Sequence, residues 1–318
     1  MTVKYRGVYW PGETMRYLRT ETLAEQLDEL KRANVNLVWI TNGYEHPGEW
    51  QTLVRLASDR GIQVLAGRGS WYVSDKNASN PETVNLAFAR LQLLQAPIPQ
   101  EDLPLAWVIG DEPTTFQALT KLGQLAGLCK GAGIKTAAVT VPAFIEDMGK
   151  LAPKLDFFAM DHYPFFAKGL PSNPPQGLQA ILTYSNQVAK MIKACPKEAT
   201  SITICQAFQS WEGPAEEEAD GSITLLPGAK PIWRPPTYWE VYFQAVIAGW
   251  HGSQGVVFFA YGLNGYFVPD PNAIAPFPPG NAVLVRTPTN ATVSLVSWPR
   301  NLKGYIWKAM AHVFGGTP

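Results

Sequence analysis

A chain of 318 residues is long enough to bury a core as one large domain, and single-unit α/β barrels commonly reach this size. Its 26 basic residues balance 26 acidic ones, which gives no reason to expect nucleic acid or an anionic membrane as partner and points to a neutral substrate. Charged residues reach only 16% while aromatics reach 12%, an excess of flat rings with polar edges that suits stacking on sugars as well as filling a core.

Tyr5 to Trp10 reads as a first strand, broken by Pro11-Gly12. Leu23, Leu27 and Leu30 then recur at helical spacing from Glu21 to about Ala33. The second strand, Asn36 to Ile40, ends at Thr41-Asn42-Gly43. Trp50, Leu53, Val54 and Ala57 mark the next helix, and Ile62 to Ala66 the third strand, which ends at Gly67-Arg68-Gly69-Ser70-Trp71. Asn80-Pro81 caps and opens a helix carrying Leu86, Leu91 and Leu94. Strand four is Leu105 to Gly110. Thr115 to Lys130 follows as a helix with Phe116, Leu119, Leu122 and Leu125 in register, then Ile134 to Val139 as strand five and a shorter helix near Ala143 to Leu151. Asp156 to Met160 is strand six, ending at Asp161-His162-Tyr163-Pro164. Leu178 to Lys193 is helical, and Ser201 to Cys205 is strand seven, ending at Gln206. Residues 209 to 236, rich in Gly, Pro and Glu, read as a long loop of the kind that covers a site. Thr237-Tyr238-Trp239-Glu240 is a capping box for a helix to about Trp250. Gly255 to Ala260 is strand eight, closing on Tyr261. A second proline-rich loop, 263 to 292, precedes a last helix with Leu302, Ile306, Ala309 and Val313.

Eight strands alternating with eight helices, with no linker between them, predict one (β/α)₈ barrel over residues 1–318. A doubly wound open sheet would ordinarily want a Gly-rich turn after strand one, and Tyr9-Trp10-Pro11-Gly12-Glu13 lacks GxGxxG. Cys129, Cys195 and Cys205 are an odd count without metal-like spacing, and His46, His162, His251 and His312 form no HxH or HExxH pattern. The expectation is therefore no disulfide framework, no metal and no cofactor. No apolar stretch approaches the length of a membrane span, and the chain opens on Met1-Thr2-Val3-Lys4 directly before a strand. A cytoplasmic protein is expected on that ground, with a trimmed secreted one left open.

Strand four stops abruptly at two carboxylates, Asp111 and Glu112, before Pro113. Acid at the carboxyl end of a doubly buried strand stands where α/β folds place their chemistry, although acids before Pro-Thr-Thr also start a helix well. In a barrel, Trp10, Asn42, Arg68, Trp71, Asp111, Glu112, Asp161, Tyr163, Gln206 and Tyr261 all follow strand ends and share one face. The set lacks a strand-six lysine for Schiff-base chemistry, a histidine pair for a metal and a Gly-rich phosphate loop. Acid–base work on a neutral polyhydroxylated substrate remains, and glycoside hydrolysis by two carboxyl groups fits it best.

Gly110-Asp111-Glu112-Pro113 resembles the Asn-Glu-Pro motif at the end of strand four in the large clan of (β/α)₈ glycosidases, where the Glu is the general acid/base. Two positions depart from that pattern: Asp111 replaces the amide, and strand seven ends in Gln206 where the clan has its nucleophilic Glu. Gly-Asp-Glu is also similar to the strand-four motif of β-N-acetylhexosaminidases. That resemblance implies an Asp111 that orients the substrate's acetamido group as internal nucleophile and a Glu112 that is the acid. Met160-Asp161-His162-Tyr163 resembles the strand-six Met-x-Tyr of chitinases.

The reading is of Glu112 as proton donor with Asp161 or Asp111 as its partner. Asp161 acting directly is favoured: a carboxyl spacing of roughly 5 to 5.5 Å would imply retention and about 6.5 to 9.5 Å inversion. Gln206 is then a hydrogen-bonding contact, since an amide is a poor nucleophile. Trp71 and Trp211 are expected to meet ligand, Trp39, Trp107 and Trp250 to fill the core, Glu216 to Glu218 to be solvated, and Glu240 to serve its cap. The missing strand-seven carboxylate also suits a barrel that binds glycan without cleaving it.

Overall fold

The computed structural model describes residues 3–11, 23–41, 43–168, 175–212, 215–217, 223–259, 291–294 and 305–317. Strand β1 (Tyr5–Pro11) leads to α1 (Leu23–Arg32), β2 (Leu37–Thr41) and α2 (Pro47–Ser58). Next come β3 (Gln63–Gly67), α3 (Thr83–Gln95), β4 (Ala106–Asp111), α4 (Phe116–Gly131), β5 (Thr136–Thr140) and α5 (Ile145–Leu151). β6 (Phe157–His162), α6 (Gly177–Ala194) and β7 (Thr200–Gln206) continue the alternation. Four short strands follow: β8 (Phe208–Glu212), β9 (Ala215–Glu217), β10 (Ile223–Leu225) and β11 (Lys230–Trp233). The described chain ends with α7 (Tyr238–Trp250), β12 (Gly255–Phe259), β13 (Ala291–Ser294) and α8 (Tyr305–Phe314).

The strands close in the order β1-β12-β7-β6-β5-β4-β3-β2, every pair parallel, so the protein is the (β/α)₈ barrel that the alternation predicts. Closure runs from Tyr5 opposite Gly255 to Tyr9 opposite Phe259. Strands such as Leu37–Thr41 and Thr136–Thr140 are buried along their whole length, as both faces of a barrel strand are covered. Helices turn one stripe inward, for example Trp50, Leu53, Val54 and Ala57 in α2. Two expected core positions fall outside that stripe. Leu86 is 50% and Phe116 71% exposed, because α3 buries Val84, Ala87, Leu91 and Leu94, and α4 buries Ala118, Leu119, Leu122 and Leu125.

The two long loops are not wholly irregular. β8 leaves the end of β7 after one residue and pairs antiparallel with β11 on one side and β13 on the other, while β9 and β10 form a separate two-stranded ladder. The chain around Ala291–Ser294, at the end of the second loop, is thus joined to the start of the first. Glu216 and Glu217 lie in β9; Glu218 and residues 260–290 lie outside the described residues. The capping box of α7 is present: Glu240 N–H donates to Thr237 Oγ1 at 3.3 Å, and Thr237 N–H to Glu240 Oε2 at 2.8 Å.

Candidate active site

Alternation along the strands decides which side chains enter the barrel. In β1, Tyr5 meets Phe157 and Tyr9 stacks on Trp39 inside, so Trp10 points outward and is fully buried under the helices. In β6, Asp161 points inward. His162 points outward onto Tyr184 of α6, with ring centroids 5.9 Å apart, and burial pushes its pKa down to about 4.

Ordinary pleating would send Asp111 and Glu112 to opposite faces. The ladder between β4 and β5 instead slips by one residue between Val108 and Gly110, a β-bulge, and the carbonyl of Ile109 is taken by Val73 N–H at 2.8 Å. Glu112 then sits at φ +47°, in the left-handed region, with its N–H donating to Val139 O at 3.0 Å. A Glu held there costs about 1–2 kcal/mol, which the surrounding fold must offset. The loop beyond is pinned by Asp75, whose carboxylate accepts the N–H groups and hydroxyls of Thr114 and Thr115 at 2.5 to 3.1 Å. Burial works against that charge, but the four donors outweigh it and leave Asp75 below its usual pKa.

The bulge turns Asp111 inward and the left-handed backbone takes Glu112 off the pleat, so that both join Asp161, Tyr9 and Tyr163 in one electrostatic cluster at the C-terminal mouth. Glu112 is exposed and Asp111 half-buried, whereas Asp161 is 5% exposed. Burial, then the charge of Glu112, raises Asp111 to about 7, against a hydrogen bond from Tyr9 Oη at 3.5 Å. Asp161 is also raised, by burial first, then by a hydrogen-bonding contact with Glu112 and the charges of Glu112 and Asp111, with Tyr163 opposing. Its Oδ1 has no hydrogen-bond partner among the described residues. Tyr9 and Tyr163 are pushed up by burial and by these carboxylates, so both phenols keep their protons.

Several expected contacts are placed otherwise. Gln206 is fully buried and spent on backbone: its Oε1 accepts from Phe165 N–H at 2.9 Å, and its Nε2 donates to Phe208 O at 3.2 Å and Arg234 O at 3.0 Å. It braces the β8–β11 insertion and leaves no group for a ligand. Trp71 is 3% exposed, its indole N–H donating to Val108 O at 2.9 Å and its ring edge-on to Trp107; Trp211 is 1% exposed in β8. Trp211 presents no face to a sugar, and the little of Trp71 that is exposed lines the cavity beside Arg68 and not the carboxylate cluster. Arg68 bonds Gly43 O and Glu45, and lines a separate cavity of about 350 Å³ with Arg90, Leu93 and Leu94. Trp39 and Trp107 are core as expected, but Trp250 is 78% exposed. Asn42 and Tyr261 lie outside the described residues.

Three features escaped the sequence reading. Tyr9 was available from strand parity, one residue before Trp10. Asp75 carries no local signal, because its partners are about forty residues on. The third is an aromatic wall: Tyr163 packs edge-on against Phe208 at 4.8 Å and Trp233 at 6.0 Å, and Trp233 lies beside Phe166 at 5.8 Å. Among the described residues no group of His, Cys, Asp and Glu is placed to hold a metal ion, and no helix is long and apolar enough to cross a membrane.

Fold and cluster define a (β/α)₈ barrel with acidic groups at the mouth where such barrels carry their chemistry. Its architecture is similar to that of solved structures whose names are those of glycosidases. One is the C-terminal domain of a putative chitinase from Desulfitobacterium hafniense DCB-2, with TM-score 0.53 and 12% identity, covering 82% of this chain and 94% of that one. Another is a β-glucuronidase from Ruminococcus gnavus in complex with uronic deoxynojirimycin, with TM-score 0.60 and 12% identity over 98% of this chain. The present chain spans 50% of that glucuronidase. At such identity the likeness is one of fold. No protein-family model matches the sequence, and no curated protein matches it.

Proposed function

We propose that the protein is a glycoside hydrolase acting on a neutral oligo- or polysaccharide, with Glu112 as the general acid. The observation that carries this reading is the pairing of an exposed Glu112, held on left-handed backbone at the end of β4, with a buried Asp161 whose carboxyl is raised in pKa beside it. A pair of carboxyls in contact holds one proton more readily than two charges. Glu112 is the member that a leaving-group oxygen can reach. The pair's proton, held by the buried Asp161, passes through Glu112 to the leaving-group oxygen as water takes the glycosyl group, and the proton that this water releases restores the pair. The half-buried aromatics Tyr163 and Trp233 offer an apolar wall beside the carboxyls for a sugar ring.

One observation favours a second, substrate-assisted form of the same chemistry. Gln206 is locked onto backbone, so β7 supplies no nucleophile, and Asp161 stands against Glu112. Asp111 is then the free partner, and it would orient a substrate acetamido group that attacks the anomeric carbon. This form is confined to 2-acetamido sugars and retains configuration. Screening aryl glycosides, with and without a 2-acetamido group, together with polysaccharides tests both forms, with Glu112→Gln as control and product anomers followed by NMR. Hydrolysis lost in the variant supports the assignment. No hydrolysis of any member, with glycan still bound, would make the protein a binding barrel.

A further inference from the structure

Helix α7 is apolar on nearly every side. Between Tyr238 and Trp250 it holds one charged residue, Glu240, whose carboxylate is tied to Arg234 and to the first turn of the helix. Val241, Gln244, Ala245 and Ala248 are buried against the barrel, as a barrel helix requires. The outer side is Trp239, Phe243, Val246 and Trp250, spaced four, three and four residues apart. That is the spacing of a seam between two packed helices, and a helix apolar all round is ordinarily covered. Here Trp250 is 78%, Trp239 60% and Phe243 46% exposed.

The patch continues onto α6. Leu178 and Leu182 are 73% and 50% exposed, and they stand about two turns and one turn before Ser185 on the same row of the helix. Ser185 Oγ bonds His251 Nε2 at 2.8 Å at the end of α7, and Trp250 lies against His251 with ring centroids 5.0 Å apart. The row therefore faces α7 and joins its stripe. A Trp or Phe side chain presents roughly 150–250 Å², so the five residues leave on the order of 600 Å² of apolar surface. Monomers seldom expose a contiguous apolar patch above ~300–600 Å², whereas each side of a standard stable interface contributes about 800 Å².

We propose that this face is a homodimer interface, α7 packing against α7 of a second copy across a two-fold axis. An interface of that symmetry needs a surface complementary to itself. An uncharged seam meets its own image without burying an unpaired charge, and the 26 basic and 26 acidic residues leave no net repulsion between copies. The area is close to what a standard interface uses before any rim contacts are added. The surface is independent of the carboxylate cluster, so this inference stands or falls apart from the proposed activity.

Sedimentation equilibrium of the full chain at about 1 to 100 μM tests it, alongside Trp250→Lys, Trp239→Lys and Val246→Cys. The expected result is a species of twice the 35.0 kDa chain mass. Either lysine substitution should weaken it by about 30- to 1,000-fold without changing the thermal unfolding of the monomer. Val246→Cys, near the middle of the seam, should cross-link to itself with a short bis-maleimide. A monomer throughout the concentration range would overturn the proposal and assign the patch to another segment of this chain or to a different protein. A dimer insensitive to both lysine variants and free of the Val246→Cys cross-link would overturn it equally, by placing the interface elsewhere.

Discussion

Replacing Asp111 with Asn isolates one consequence of crowding three carboxyls at a barrel mouth. In the folded protein Asp111 titrates at about 7 against an ordinary 3.8, chiefly through burial and then through the charge of Glu112. Three units at about 1.36 kcal/mol each correspond to ~4 kcal/mol, and because the side chain is half-buried the range to expect is about 2–4 kcal/mol. The folded pKa lies above the unfolded one, so folding holds the proton. The corresponding stability is fully present below about pH 4, falls as pH rises toward 7 and is flat above that. Asp111→Asn carries no such loss and keeps an acceptor for Tyr9 Oη. An unfolding entropy of about 2.1 cal/mol/K per residue gives roughly 0.7 kcal/mol/K for this chain, so the Tm of the variant should gain about 3–6 °C on wild type between pH 4 and pH 8. Differential scanning calorimetry over that range reads the gain directly. A difference independent of pH, or one that shrinks as pH rises, would refute the burial of a protonated Asp111.

Three other substitutions probe the surrounding structure. Asp161→Asn should lower kcat/KM by about 10-fold or more and move the alkaline limb of its pH profile to lower pH, since the pair can no longer hold its proton; an unchanged profile would remove Asp161 from the chemistry. Gln206→Leu should destabilise the fold by about 3 kcal/mol or more in urea unfolding, because it leaves Phe165 N–H and the carbonyls of Phe208 and Arg234 without their partner; a neutral effect would contradict its role as a brace. Asp75→Ala should cost about 1 kcal/mol of stability through loss of the Thr114 and Thr115 contacts and lower kcat more than it raises KM, as the loop carrying Glu112 loosens.

The barrel was legible because periodicity reports burial, and each strand and helix of the repeat buries a face that the sequence must encode. The acidic end of β4 was legible for the related reason that carboxylates seldom close an apolar run. What failed was direction. Taking the last residue of each strand as the one at the mouth selected Trp10 over Tyr9, although alternation along β1 sends Tyr9 inward and Trp10 beneath the helices. The bulge at Ile109-Gly110, whose partner Val73 comes from the loop after β3, reverses that parity in β4 and turns Asp111 inward, and the left-handed backbone at Glu112 then lets the next residue join it. Trp71 and Trp211 looked like ligand contacts because they lie in polar loops, yet Trp71 folds back onto Val108 and Trp211 is covered within an antiparallel sheet. That sheet pairs β8 with β13 across some eighty residues, a separation at which local pattern carries no signal. Gln206 shows the limit in small compass. Its position at a strand end suggested a substrate contact, but the backbone groups that use up its amide include, besides the nearby Phe208, those of Phe165 and Arg234, about forty and thirty residues away.

The central claim is that Glu112 donates a proton to a glycosidic oxygen, and dependence on the leaving group tests it most directly. Protonation matters for an alkoxide-like leaving group and little for 2,4-dinitrophenolate, which departs without help. Once a substrate is identified, rates of wild type and Glu112→Gln should be compared on the unactivated glycoside and on its 2,4-dinitrophenyl analogue. The variant should lose about 10²- to 10⁴-fold on the first and far less on the second. Equal losses on both substrates, or near-normal turnover of the unactivated one, would contradict the assignment of Glu112 as the acid.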